Sequence, residues 1–390
     1  MRRGHIVALS TLLLTSLFGA FTANAESPKW CDGVRHSLSV ELRPAYNLVS
    51  HYALRNNGDP ANSSLSLHAR YSFSLSADRS LGELFPTTYQ GIGLAAYTYF
   101  HHSLTGTPMA AYIFQGARIA NFSKRLSLGY EWNLGLSWGW HPNEAMNSKC
   151  NVLINVAVPL CWQLDGGTEL SLTPDFTHFS NGDTSFSNSG SNLFGVRLGA
   201  TYHFAYSPES VSARRFIAPS KELSTQSFVE RLSYDILAYG GWRADRFFDK
   251  GEFFVIERAL PIAGVNFQPT YHLNDYFSLG ASLDIQADSS LNLYDGIKDE
   301  NGTIVGYSRP EISKQLEAGM AIRGEISAPI FTIGAGIGVN LVNSGYDYSP
   351  VYTTFTLKTH LSKRLMLYIG YRFNSLQYTH NLMYGLGVRL

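Results

Sequence analysis

From Leu126 to Trp140 the side chains alternate without a break. Leu126, Leu128, Tyr130, Trp132, Leu134, Leu136, Trp138 and Trp140 fall on one face, and Ser127, Gly129, Glu131, Asn133, Gly135, Ser137 and Gly139 on the other. A period of two is the signature of a strand, and it recurs over residues 152–162 and 331–341. A soluble sandwich buries its large face and gives the other to water, so it rarely keeps that second face so glycine-rich. A membrane barrel needs this division: large apolar groups toward lipid, small and polar groups toward a narrow lumen. Charged residues make up 15% of the chain, against roughly 25% in soluble domains. Aromatic residues make up 13%, and beyond the N-terminal stretch no apolar run reaches the ~18 residues a spanning helix needs. Composition and pattern together predict an all-β, antiparallel transmembrane barrel. The formal net charge is zero, so nothing points to nucleic acid.

The first residues read as an export signal. Arg2 and Arg3 precede an apolar stretch from Ile6 to Ala20, and Ala23-Asn24-Ala25 supplies a small-residue cleavage pattern, so residues 1–25 are set aside. Export makes disulfides feasible. A Cys31–Cys161 bridge is one reading of the three cysteines, free or buried thiols the other; their spacing fits no metal site.

Strand candidates fall at roughly 36–48, 63–76, 89–101, 107–121, 126–141, 150–164, 167–180 and 193–206, then at 230–243, 257–273, 276–289, 313–328, 330–343, 350–363, 364–376 and 382–390. Residues 207–229 show no alternation and contain Pro208 and Pro219. They predict a periplasmic linker between two eight-stranded barrels, residues 26–206 and 230–390, with a single sixteen-stranded barrel as the alternative. Bacterial barrels have even strand numbers, and both arrangements satisfy this. Turns such as Phe122–Arg125, Leu164–Gly166 and Ala328-Pro329 are tight, whereas 49–62, 181–192 and 290–312 are long and read as outer loops.

Chemistry concentrates at the end of the seventh strand. Leu170, Leu172, Pro174, Phe176, His178 and Ser180 share the apolar face, and Glu169, Ser171, Thr173, Asp175 and Thr177 the lumen face. A histidine and a serine two residues apart on one strand face can approach each other. A ring that takes the hydroxyl proton as the oxygen attacks a carbonyl is the minimal activated nucleophile. Asn192 opens the next strand on the same face and at the same end, and the connecting loop offers Asn181, Gly182, Asp183, Asn188 and Gly190. Amide N–H groups there suit a developing oxyanion. Polar groups facing lipid are costly, which favours a functional over an incidental reading.

Phe176-Thr-His178-Phe-Ser180-Asn181-Gly182, with Asn188-Ser-Gly190-Ser-Asn192 and a strand ending Tyr202-His-Phe204, resembles the lipid A 3-O-deacylase family of outer-membrane barrels over residues 36–206. The resemblance implies Ser180 as nucleophile, His178 as general base, and Asn181 with loop amides, including Gly182 and Asn188, at the oxyanion. It implies an ester hydrolase acting on lipid A, with no metal or cofactor. The partners would be lipopolysaccharide, outer-membrane lipids and the barrel-assembly machinery, with self-association into a homodimer left open. One residue departs from the pattern: the glutamate that orients the histidine in family members falls on Asn192. An asparagine can accept from the imidazole but cannot stabilise an imidazolium as a carboxylate does. In a serine protease the comparable exchange lowers turnover about 10⁴-fold. Asp183 and Asp175 are the carboxylates nearest in sequence, and Asp175 reads as lumen-facing.

Other features read as structural. His101, His102 and His141 end strands at the rim; Gly334-Ala-Gly336-Ile-Gly338 suits a narrow lumen; Asp299-Glu-Asn-Gly302 reads as a turn. The second half has no His-x-Ser where its strand end reads Tyr371-Arg-Phe373-Asn-Ser375, so no catalysis is expected there. The rival readings are a non-enzymatic, porin-like or structural barrel with a decayed site, and a phospholipase or acyltransferase using the same serine and histidine.

Overall fold

The structure is a computed structural model. It describes residues 34–390 apart from 49–54, 57–58, 76–86, 143–145, 165–166, 183, 186–189, 205–222, 224, 257, 301, 303, 329, 343–348, 363 and 375–377. The expected signal segment, most of the expected linker and Cys31 therefore lie outside the described residues. Cys150 and Cys161 are free.

The first barrel runs through β1 (Val34–Asn47), β2 (Ser63–Leu75), β3 (Thr88–Thr98), β4 (Gly106–Asn121), β5 (Leu126–Trp140), β6 (Cys150–Ala157), β7 (Leu160–Gln163), β8 (Thr168–Ser180) and β9 (Ser191–His203). Neighbours pair antiparallel, and β9 closes on β1 with Ser37 opposite His203 and Ala45 opposite Gly195. The sixth stave was expected to be one strand over 150–164. It is interrupted at Val158-Pro159, because proline has no N–H for the ladder. Both pieces still bridge β5 and β8, so the barrel has eight staves.

The second barrel comprises β10 (Leu232–Arg243), β11 (Leu260–His272), β12 (Phe277–Asp288), β13 (Leu316–Ser327), β14 (Phe331–Val342), β15 (Val351–His360), β16 (Leu365–Asn374) and β17 (Tyr378–Arg389). It closes independently, β10 pairing with β17. Two eight-stranded barrels form, not a single sixteen-stranded one. Among the described residues no helix is long and apolar enough to cross a membrane.

The alternation decides what each face meets. Leu136, Trp138, Val156, Val158, Phe176 and Leu198 are exposed on the outside of the first barrel. Inside, Arg43, Arg70 and Arg197 interlock with Glu41, Glu131 and Asp175, all buried. Above this lattice Tyr97, Tyr99, Tyr112, Phe114 and Phe179 pack as an aromatic plug. Trp140 belongs to the plug, contrary to its expected place on the apolar outer face. Gly139 takes a positive φ of 85° beside a register shift between Gly106 and Met109, and the next side chain turns inward. There its indole donates to Ser137 Oγ at 2.9 Å. The second lumen is also filled by ion pairs, Lys358 with Asp235 and Glu325, and Arg323 with Asp284.

The two barrels touch along their outer faces. Trp132 meets Phe331 edge to face at 5.4 Å, and the end of β8 meets β16 and β17 of the second barrel.

Candidate active site

β8 carries the site because its parity holds to the last residue. Asp175, Thr177 and Phe179 point into the lumen and are buried, while Phe176, His178 and Ser180 point outward. In the ladder His178 stands opposite Asn192 of β9 on one side and Ile154 of β6 on the other. Directly opposed residues on an antiparallel pair have Cβ atoms about 5 Å apart, within reach of a side-chain bond. His178 Nδ1 and Asn192 Oδ1 lie 2.7 Å apart. An amide oxygen only accepts, so Nδ1 carries the proton and Nε2 carries the lone pair. That Nε2 is buried and has no hydrogen-bond partner.

Ser180 Oγ accepts the backbone N–H of Gly182 at 3.0 Å and lies 3.2 Å from the Tyr371 hydroxyl. It is not bonded to His178, whose Nε2 has no hydrogen-bond partner. The expectation that Ser180 faces lipid directly needs correction. It does face outward, but the second barrel covers it, leaving the residue only 3% exposed.

The loop is shaped by two glycines in left-handed conformations, Gly182 at φ 66° and Gly190 at φ 67°. A Cβ on Gly190 would lie 2.6 Å from the Phe179 carbonyl oxygen and 2.9 Å from His178 Cε1. Gly190 therefore leaves the imidazole its place against the backbone. Gly190→Ala should displace the ring and lower ester hydrolysis by about 10²-fold, the scale of a catalytic group misplaced by ~1 Å. Steady-state kinetics on the purified barrel would check this; a wild-type rate would show that the ring's position tolerates the methyl group.

Among the other expected site residues, Asn181 is buried and its Nδ2 donates to the Ser185 carbonyl at 3.1 Å, bracing the loop. The backbone amide aimed at Ser180 is that of Gly182. Asn188 and Asp183 lie outside the described residues. Asp175 is in the lumen, held by Arg43 at 2.5 Å, and does not reach His178's face. Tyr371 and Leu382 were not singled out for the site. They are outward-facing residues of β16 and β17, and in sequence they look like any apolar or aromatic group in a lipid-facing band.

A family model described as lipid A 3-O-deacylase matches residues 63–201, which include His178, Ser180, the loop after them and Asn192. A second, described as the C-terminal domain of acyloxyacyl hydrolase, matches residues 232–390, the whole second barrel. The chain belongs to the lipid A 3-O-deacylase family. This makes it an outer-membrane barrel of a hydrolase family. The second match covers the half in which no motif was recognised.

Comparison with curated proteins found no match. Among solved structures, Neisserial surface protein A is 9% identical, covering 45% of this chain and 97% of its own at a TM-score of 0.29. The toluene transporter TodX of Pseudomonas putida is 10% identical, covering 92% and 89% at a TM-score of 0.18. Likeness at this level carries no argument about function.

One cluster elsewhere has the composition of a metal site. Asp288, Glu317 and His380 converge within 4.8 Å inside the second barrel. Arg243 already supplies positive charge there, 3.0 Å from Asp288 and 3.4 Å from His380 Nε2, and His380 Nδ1 is bonded to Asn381. The cluster is a satisfied ion network.

Proposed function

We propose that this deacylase-family barrel hydrolyses an ester-linked acyl chain of lipid A, with Ser180 as nucleophile, His178 as general base and Asn192 orienting the imidazole on the outward face at the outer rim. The observation that carries the reading is the bond from His178 Nδ1–H to Asn192, which leaves a buried, unpartnered Nε2 on the face that also bears Ser180.

Ser180 Oγ bonds to the ester carbonyl carbon while its proton passes to His178 Nε2. The carbonyl π pair moves onto oxygen, and the Gly182 N–H is the nearest donor to that charge. Collapse breaks the ester C–O bond, and the leaving sugar oxygen takes the proton from His178. Water then attacks the acyl-serine, giving its proton to the same nitrogen, and collapse returns that proton to Ser180 with release of the fatty acid. The cycle consumes one water and restores the enzyme. A site on the barrel's outward face, beneath the second barrel, suits a substrate that arrives from the side and not through the lumen. The porin-like reading fits poorly with a lumen crossed by three arginines and three carboxylates. Mass spectrometry of lipid A from cells carrying the wild-type gene should show loss of one acyl chain. An intact lipid A profile in those cells would dismiss the reading.

Asn192→Asp keeps the reach of the 2.7 Å bond and adds the charge that stabilises an imidazolium. It should raise kcat by about tenfold or more, on the scale set by carboxylate-to-amide exchange in serine hydrolases. A fall in kcat, measured on the same ester, would mean that the neutral asparagine is what this site requires.

A further inference from the structure

We propose that the second barrel completes the active site of the first: the Tyr371 hydroxyl is a second donor at the nucleophile, and the cleft between the barrels holds the acyl chain of the lipid ester. This rests on the assignment of Ser180 above and gives the second module a function. Tyr371 comes from β16, 191 positions along the chain, yet its hydroxyl lies 3.2 Å from Ser180 Oγ. The ring is buried and held edge-on by Phe373 at 4.4 Å, so the hydroxyl is delivered on a rigid support. Leu382 of β17 packs over Gly182, where an added Cβ would come within 2.1 Å of it. The amide and the phenol thus converge on one oxygen from two barrels.

Between the barrels lies a cleft of ≈ 1590 Å³ with almost wholly hydrocarbon walls. Val152 and Ile154 line it, and these residues stand opposite Ser180 and His178 in the ladder. Across the gap the wall includes Ala335, Ile369 and Leu382, and Tyr371 borders it as well. The cleft therefore runs past the ladder partners of Ser180 and His178 and past Tyr371, between apolar walls where water is unfavourable and an alkyl chain is not. Its occupant is the acyl chain, with the ester carbonyl at Ser180. When Ser180 Oγ bonds to that carbon and its proton moves to His178, the new oxyanion forms one atom away from Oγ. There it can accept hydrogen bonds from both the Gly182 N–H and the Tyr371 O–H, neither of which gives up its proton.

The full chain in detergent micelles, assayed with p-nitrophenyl butyrate and p-nitrophenyl myristate, tests both parts. Tyr371→Phe keeps the ring and should lower kcat on both esters by about 10²-fold with little change in KM, the scale of losing one oxyanion donor. Ala335→Trp, a change at an exposed position, should lower the myristate-to-butyrate rate ratio at least tenfold by filling the cleft. A kcat for Tyr371→Phe within twofold of wild type, or above it, overturns the donor role. An unchanged chain-length ratio in Ala335→Trp overturns the occupant. Full activity in Ser180→Ala would instead remove the dyad itself, and this inference with it. Heat-modifiable gel mobility confirms that each variant has folded.

Discussion

Ser180→Ala should lose ester hydrolysis by about 10⁵–10⁶-fold, His178→Gln by nearly as much, and the double variant no further, because nucleophile and base act as a unit. The barrel should remain folded. Ser180 forfeits a hydroxyl whose net hydrogen-bond contribution is about 1 kcal/mol, and it closes a strand without supporting one. Release of fatty acid from lipid A by purified protein would measure both variants. The chain contains an internal control. Ser66 Oγ and His68 Nε2 are already hydrogen-bonded at 2.9 Å, which the 178/180 pair is not. Geometry alone would choose that pair. Yet both residues point into the lumen, 2% and 5% exposed, and His68 Nδ1 is occupied by the Tyr112 hydroxyl. A lipid ester has no route to them, so Ser66→Ala should retain activity. If Ser66→Ala is silent and Ser180→Ala active, the assignment of the site to the outer face fails.

The outward projection of His178 and Ser180 was legible in the sequence because the alternation in β8 is unbroken from Leu170 to Ser180. Asn192 could be placed beside them for the same reason: a tight register across a loop fixes which residues oppose each other. Three features were not legible. Trp140 continues the pattern of β5 in sequence, but a positive φ at Gly139 and a shift in the facing strand break it, and neither leaves a mark in the spacing of apolar residues. The split of the sixth stave shows only as Pro159, which a strand can also accommodate at a bulge. The roof over Ser180 is a contact between faces that each read as lipid-facing. A surface built for hydrocarbon looks the same whether a lipid or another barrel covers it. Only the small remaining exposure of Tyr371 and Leu382, 3% and 4%, reveals the second barrel's role.

Arg197→Met should destabilise the first barrel by about 3–5 kcal/mol, the cost of removing one partner from a buried ion pair. Arg197 is 1% exposed and reaches Glu41 at 3.1 Å, Glu131 at 2.8 Å and Asp175 at 3.0 Å. With Arg43 and Arg70 it makes three guanidinium groups for three carboxylates, an internally neutral lattice. Methionine keeps much of the volume and none of the charge, so one buried carboxylate is left uncompensated. The loss should appear as a lower urea midpoint, followed by heat-modifiable mobility or tryptophan fluorescence. Arg197→Met combined with Glu131→Gln restores neutrality without restoring the contacts, and should recover part of the midpoint. If the double variant is as weak as the single, shape and not charge governs the lumen. The consequence reaches the site through β8 itself: Asp175, which Arg197 and Arg43 clamp, lies three residues before His178. A loosened lattice should therefore lower activity at urea concentrations where the second barrel is still closed, separating failure of the scaffold from failure of the chemistry.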